Sequence, residues 1–523
     1  MIGLGFRGKK SPLGQPKTYR FSQNLTHLPG CYGLIAGSSS GFARWGSSIN
    51  IVPCTQMLEV EVHQRLRSLL QTEAIPPWPH HLTLARLVTR ALRLGPSALM
   101  EVGGLAGVQG QYRLGYLAAA LLWPGAVVLV APAEIQRRWL KVELPRLRTW
   151  LAVEKPLYQE HWPPGVADGL LLLSPQRWLQ ELANPSSSLT QLPTVVDGLD
   201  DLEQWAEAAL TQSRCPQAWD EWVWAQPHQA ELIRETQLAL THSLLSHPPN
   251  PYEQWLLSET EQNWLQAVWP QSQPRRVRWA TLERSLAQFT LHCSPLWALA
   301  ELADHWPQQP WVGLGMALGT ISLPGVTRFR FAPHPRDEVL HLYAPAHLPP
   351  PNHPQFYQAV RQELHRLLPL ATGLVVILVQ EQPLQTQLTV ALAAEFGSRV
   401  QRERTALEEN GILVSGWEFW RTHQERLPSP SLLVIPLLPI PPREQPLVMA
   451  RIEALRHEGR DWFREYLLPH TLAQLQRAVA PVRGGRVALL DSRVCHRSYG
   501  AQILQSLEPV MRYSRLAHFG TAG

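Results

Sequence analysis

The chain has 523 residues, of which 45% are hydrophobic and 17% charged. That composition supports packed cores on the scale of about three domains and excludes wholesale disorder. The net charge of +5 permits a nucleic-acid partner without proving one, and five cysteines with no C-x-x-C pair argue against a disulfide scaffold or a four-thiolate metal site in one stretch, so the setting reads as reducing, intracellular and cytoplasmic.

In chain order, residues 1–56 come first, with no acidic residue over positions 1–58, many Gly, Ser and Pro, and three of the five lysines (Lys9, Lys10, Lys17). This leader reads as a disordered tail or an upstream translation artefact, although an acid-free, Ser-rich stretch also fits an organelle transit peptide. The folded part is expected to begin near Met57, where MLEVEVHQRLRSLLQ has amphipathic helical spacing. Short aliphatic runs then predict strands at 98–102, 126–130, 169–173 and 194–197, and helical spacing predicts helices at 82–94, 114–122, 135–140 and 176–182. Strand–helix alternation of this kind predicts a parallel sheet. Residues 203–290 are Trp- and Gln-rich with helical spacing, which predicts a helical insert without strands. A second alternating series predicts strands at 339–343, 374–379, 412–414, 432–437 and 487–490, between helices at 355–368, 384–395, 446–457 and 471–479. The expected organisation is a first α/β domain over 57–325, carrying the insert, and a second over 326–523.

The uncharged stretch 114–133 is long enough for a membrane span, but Pro124-Gly125 ends a helix and opens a turn in its middle. It therefore reads as a buried helix followed by a core strand, and no membrane association is expected.

The segments 411–446 and 460–500 resemble the second motor domain of DinG/XPD-like superfamily 2 DNA helicases. The likeness rests on Trp417-Glu418-Phe419-Trp420, Leu438-Pro439-Ile440-Pro441, the run from Gln476 to Arg483, and Asp491-Ser492-Arg493. Upstream, SALMEVGGLAGVQGQYRLGYLAAALL looks like the strand, phosphate loop and helix of motor domain one, and VVDGLDDLEQWA falls where a D-E-A-H box belongs. The resemblance implies two tandem RecA-like domains that bind ATP and magnesium between them and act on single-stranded or forked DNA. It implies that Gly107, Gly110, Gln111, Tyr112 and Arg113 hold nucleotide, Asp197 magnesium, and Gln476 and Arg483 the developing phosphoryl charge.

The residues depart from that chemistry. A phosphate loop needs a lysine followed by Ser or Thr. Tyr112 and Arg113 stand there, or Gln111 and Tyr112 in the other register, and no lysine lies between Lys17 and Lys141. Asp197 closes an apolar strand, but Gly198 replaces the glutamate that polarises water, and Asp200 or Asp201 would have to reach in from the loop. The S-A-T element falls at Gly315-Met316-Ala317, and Ala480 replaces one of two arginines. Many family members hold an iron–sulfur cluster on four cysteines; residues 113–197 contain none, so no cluster is expected. The alternative to an active helicase is a pseudo-helicase that binds DNA or a protein partner without ATP hydrolysis.

Trp417, Phe419, Trp420 and Arg421 are candidates for stacking on unpaired bases, with a packed cluster under a loop as the competing reading. Arg275, Arg276, Arg278 and Trp279 form a basic-aromatic stretch expected to precede a helix. The only G-x-S-x-G match, Gly37–Gly41, sits in the leader, His80-His81 reads as a turn, and no H-E-x-x-H or other metal-ligand spacing occurs.

Overall fold

The structure is a computed structural model that describes residues 55–520, apart from 73–77, 96, 185–186, 271–274, 303–305, 307–309, 322, 324 and 332–338. The expectations for the leader and for Gly37–Gly41 lie outside the described residues. The helix expected near Met57 spans Thr55–Thr72, and the next, His81–Leu94, stops at Gly95, whose φ of +90° ends it in the left-handed conformation.

In the first half and its insert the strands are β1 Ala98–Val102, β2 Ala126–Val130, β3 Leu157–Gln159, β4 Gly169–Leu173, β5 Thr194–Asp197, β6 Gln212–Arg214, β7 Gln254–Leu256, β8 Arg276–Glu283, β9 Gln288–Pro295, β10 Trp311–Gly315 and β11 Thr327–Phe331. In the second half they are β12 Leu340–Tyr343, β13 Val375–Leu378, β14 Val400–Arg402, β15 Ile412–Ser415, β16 Leu432–Ile435, β17 Arg486–Leu489 and β18 Val510–Tyr513. Two seven-stranded sheets result, in the orders β11-β1-β10-β5-β2-β4-β3 and β14-β15-β13-β16-β17-β12-β18. Every pairing within them is parallel. The fold class read from the sequence, two tandem RecA-like domains, is what forms.

The central strands show why. Every residue of β2 (AVVLV) and β4 (GLLLL) is buried, as expected of parallel strands covered on both faces. Each fully buried leucine of β4 contributes about 1.5–3 kcal/mol of apolar burial. Between them and the helix Arg113–Leu122, the chain reverses at Pro124-Gly125, where Gly125 takes φ +91°. No helix among the described residues is long and apolar enough to cross a membrane.

Two expectations need correction. The insert is not free of strands: β6, β9, β8 and β7 form a four-stranded antiparallel sheet beside the helices Pro216–Ala225, Ala230–Ser246 and Glu259–Val268. The boundary at 325/326 cuts the first sheet, because β11 pairs with β1 from Ala98↔Thr327 to Val102↔Phe331. The first domain therefore includes β11, through Phe331.

Candidate functional site

The chain leaves β1 through Gly103 into a short helix, Gly104–Val108, turns at Gly110 (φ +65°), and enters the helix Arg113–Leu122. Gly107 packs so closely that a Cβ there would lie 2.3 Å from the Val102 carbonyl oxygen. A phosphate cradle needs backbone N–H groups aimed at the anion. Here the N–H groups of Gln109, Gly110, Gln111 and Arg113 are hydrogen-bonded inside the turn, to the carbonyls of Leu105, Gly107, Ala106 and Gly110. The guanidinium of Arg113 folds back over the turn, and a Cβ on Gly110 would sit 2.3 Å from its Nη1.

Asp197, at the C-terminal end of β5, is fully buried and saturated with donors. Tyr112 donates to Oδ1 at 2.5 Å, Tyr116 to Oδ2 at 2.6 Å, and the Nε of Arg113 to Oδ2 at 3.1 Å. Trp139 Nε1 donates to the Tyr116 hydroxyl at 2.9 Å, which fixes that ring. Burial, and after it the Asp197 charge, push both tyrosine hydroxyls well above their usual pKa, so they remain donors. Burial alone would lower the Arg113 pKa, but the neighbouring carboxylates outweigh it and hold the guanidinium charged. Tyr112 and Tyr116, one helical turn apart, share a face, a spacing visible in the sequence.

Arg113 also reaches the second half. Its Nη2 and Nη1 donate to Glu425 at 2.6 and 3.2 Å, and Arg138 donates to the same carboxylate at 2.9 Å. Beside this bridge the helix Gly104–Val108 packs against residues 480–482, so the second half covers the glycine turn. Arg483, next in the chain, donates to the Leu507 carbonyl at 2.7 Å, and Gln476 donates to that of Ser506 at 3.2 Å. Both of these contacts fall inside the second half.

The loop after β5 serves structure. Gly198 takes φ +82°, a backbone that a glutamate would adopt only at a cost of about 1–2 kcal/mol. Asp200 accepts the N–H groups of Met316 (2.9 and 3.0 Å) and Ala317 (2.6 Å), which fastens the loop after β10. Burial raises the Asp200 pKa despite nearby Arg477. Asp201 pairs with Arg421 and Arg477 of the second half. Burial would raise the Asp201 pKa, but the two arginines overcome it and hold the carboxyl below its usual range.

The aromatic candidates lie on a helix, Trp417–His423, where a loop was expected. Trp420 is 1% exposed and donates to the Ala478 carbonyl at 3.2 Å, which leaves it no face for a base. Trp417 and Phe419 are half-buried against the core, and Phe419 stacks on His423 with ring centroids 4.2 Å apart. Arg421 is engaged by Asp201 and Gln204. The basic-aromatic stretch is strand β8, not the approach to a helix. Arg278 is buried and bonded to Gln266 and Trp269, Arg276 to Glu301, and Trp279 stacks on His292. Among the described residues, no group of three or more His, Cys, Asp or Glu is placed to hold a metal.

The donor set around Asp197 does not fit a magnesium-bound nucleotide. Both carboxylate oxygens accept from protonated donors, and Arg113, the cation folded over the glycine turn, is already divided between two carboxylates. Arg138, Tyr116, Glu425, Arg451 and Arg477 belong to this region and were not singled out from the sequence. For Glu425 no local signal exists, because its partner Arg113 lies 312 positions away.

Two all-parallel seven-stranded sheets joined in tandem define a double RecA-like fold. No family model matches the chain. A protein named ATP-dependent DNA helicase YoaA from Haemophilus influenzae is 30% identical over 128 residues, 24% of this chain. The Escherichia coli protein of that name is 34% identical over 113 residues, 21% of this chain. The matched stretches span only 20% and 18% of those relatives' lengths. An apo XPD structure aligns over 82% of this chain and 100% of its own at TM-score 0.54 and 12% identity. The structure of S. tokodaii Xpd4 aligns over 83% of this chain and 99% of its own at TM-score 0.54 and 12% identity. Over those short stretches the chain is similar to the YoaA proteins, and in its fold it is similar to XPD.

Proposed function

We propose that this protein is a pseudo-helicase: it binds single-stranded or forked DNA and does not turn over ATP. The observation that carries the reading is the state of Asp197, with both oxygens taken by Tyr112, Tyr116 and Arg113 in a fully buried setting. Three further features support it. No lysine stands in the glycine turn, the water-polarising position is Gly198 in a left-handed backbone, and the turn's own N–H groups are already satisfied. DNA as the ligand class comes from the relatives, two of which are named as DNA helicases, and the net charge of +5 is compatible with it. Trp417 and Phe419, which keep partial exposure, are the aromatic groups offered for stacking.

The test uses the full chain with labelled ATP and magnesium, with and without single-stranded or forked oligonucleotides. The expected result is DNA binding that weakens with salt, together with neither nucleotide retention nor phosphate release. DNA-stimulated phosphate release that is abolished by Asp197→Ala or Arg483→Ala would overturn the proposal and restore an ATP-driven helicase. Binding of neither ligand would move the function to a protein partner.

A further inference from the structure

Besides a looser Arg426–Glu134 pair at 3.8 Å, three clusters of polar contacts among the described residues cross from one half to the other, and in each the guanidinium and the carboxylate come from opposite sides. Glu425 of the second half sits between Arg113 and Arg138 of the first. Asp201 of the first sits between Arg421 and Arg477 of the second. Arg451, on the second-half helix Pro446–His457, pairs with Glu207 at 2.6 Å and Glu203 at 3.3 Å and donates to the Leu296 carbonyl at 2.8 Å. Its guanidinium also lies over the rings of Trp297 and Tyr466, one from each half, at 5.1 and 5.5 Å from their centroids. Between these contacts runs an apolar strip in which Val108, Ala480 and Val482 are buried and the short helix Gly104–Val108 meets residues 480–482.

We infer that the two halves stay closed on each other without nucleotide, with Arg113 serving as a tethered cation where a motor of this fold would admit a diffusible ligand. The side chains of Arg113, Arg451 and Arg477 are 2%, 4% and 11% exposed, so the guanidiniums lie inside the seam, while Glu425 and Glu207 at 26% and 25% open toward its rim. Exposed ion pairs contribute little, whereas buried guanidiniums held by charged acceptors have fixed geometry and are less screened. Separating the halves would break all three clusters together and return the apolar strip to water. The nucleotide reading above concerns the same cleft, and this inference rests on it only for the absence of a competing ligand.

The experiment places spin labels on one helix of each half, through Arg90→Cys in His81–Leu94 and Ala394→Cys in Gln382–Phe396, with Cys215→Ser and Cys495→Ser to remove the exposed native thiols among the described residues. Pulsed electron–electron distances are then measured on the full chain with and without magnesium and a non-hydrolysable ATP analogue. The expected result is one narrow distance that the analogue does not move. Asp201→Asn with Glu425→Gln should add a longer, broader population, and Arg451→Gln should do so independently. A wild-type distribution that is already broad, or one that shifts with the analogue, overturns the latch. So does a narrow distribution retained in both variants. Immobile halves that bind ATP would sink the pseudo-helicase reading alone, and mobile halves that bind none would sink the latch alone.

Discussion

Replacing Arg113 by methionine removes the guanidinium and keeps an unbranched apolar stem. It leaves Asp197 fully buried with two tyrosine hydroxyls and no counter-charge, while Glu425 retains Arg138. Stripping one partner from a buried pair costs about 3–5 kcal/mol, because the remaining charge is left uncompensated. The two hydroxyl donors still solvate Asp197, so Arg113→Met should cost about 3 kcal/mol, the low end of that range. Asp197→Asn keeps an acceptor for one tyrosine and leaves Arg113 with Glu425, so about 2 kcal/mol is expected. The double variant has no orphaned charge at Asp197, and its cost should fall short of the sum by about 1–3 kcal/mol. Urea unfolding of the four proteins reads this directly from midpoints at constant slope. Melting gives a second reading, at about 2–4 °C per kcal/mol for a large domain. Strictly additive costs, or an Arg113→Met protein within about 1 kcal/mol of wild type, would show that the guanidinium does not neutralise Asp197.

Three further outcomes are expected. Asp201 has a folded pKa below its unfolded value of about 3.9, so its pairs with Arg421 and Arg477 stabilise fully above that pH and are lost as pH falls below it. The stability gap between wild type and Asp201→Asn should thus be flat from pH 8 to about 5 and close below about 3.9 in pH-dependent melts. Gly107→Ala puts a methyl against the Val102 carbonyl and should cost about 1–3 kcal/mol, whereas Gly319→Ala, with no heavy atom within 4 Å of the added carbon, should stay within about 0.5 kcal/mol. Trp420→Ala should cost about 3–5 kcal/mol of stability. Oligonucleotide affinity lost with an unchanged unfolding midpoint would return that ring to the binding surface.

The aliphatic runs of β2, β4 and β13 were legible because strands buried on both faces carry no polar side chain, and β1 and β5 depart from that only at Glu101 and at Thr194 and Asp197. β10 and β11 were not. WVGLG has two glycines in five positions, and TRFRF places Arg328 and Arg330 on an edge strand. In β8 the period-two pattern is present, but Arg278 takes a buried position in phase with Ala280 and Leu282, so the stretch reads as basic rather than alternating. Residues 417–423 were read as a loop because the helix is only seven residues long and its buried face is a single tryptophan. At the site, the missing lysine and the Gly198 substitution were visible one residue at a time. What replaces them was not, since the pairing of Arg113 with Glu425 is a product of how the two halves meet.

β6 and β9 lie side by side, with Gln212 opposite Cys293 and Arg214 opposite Leu291. The outgoing and returning chains of the insert therefore pass through a stem one ladder spacing wide, about 5 Å. Whatever grows, shrinks or is swapped beyond that stem leaves the strand order of the first sheet unaltered, since the hinge points do not move apart. This makes residues 215–290 a cassette that can change in size beyond the stem, bounded where β7 and β8 pack against the helix Pro446–His457.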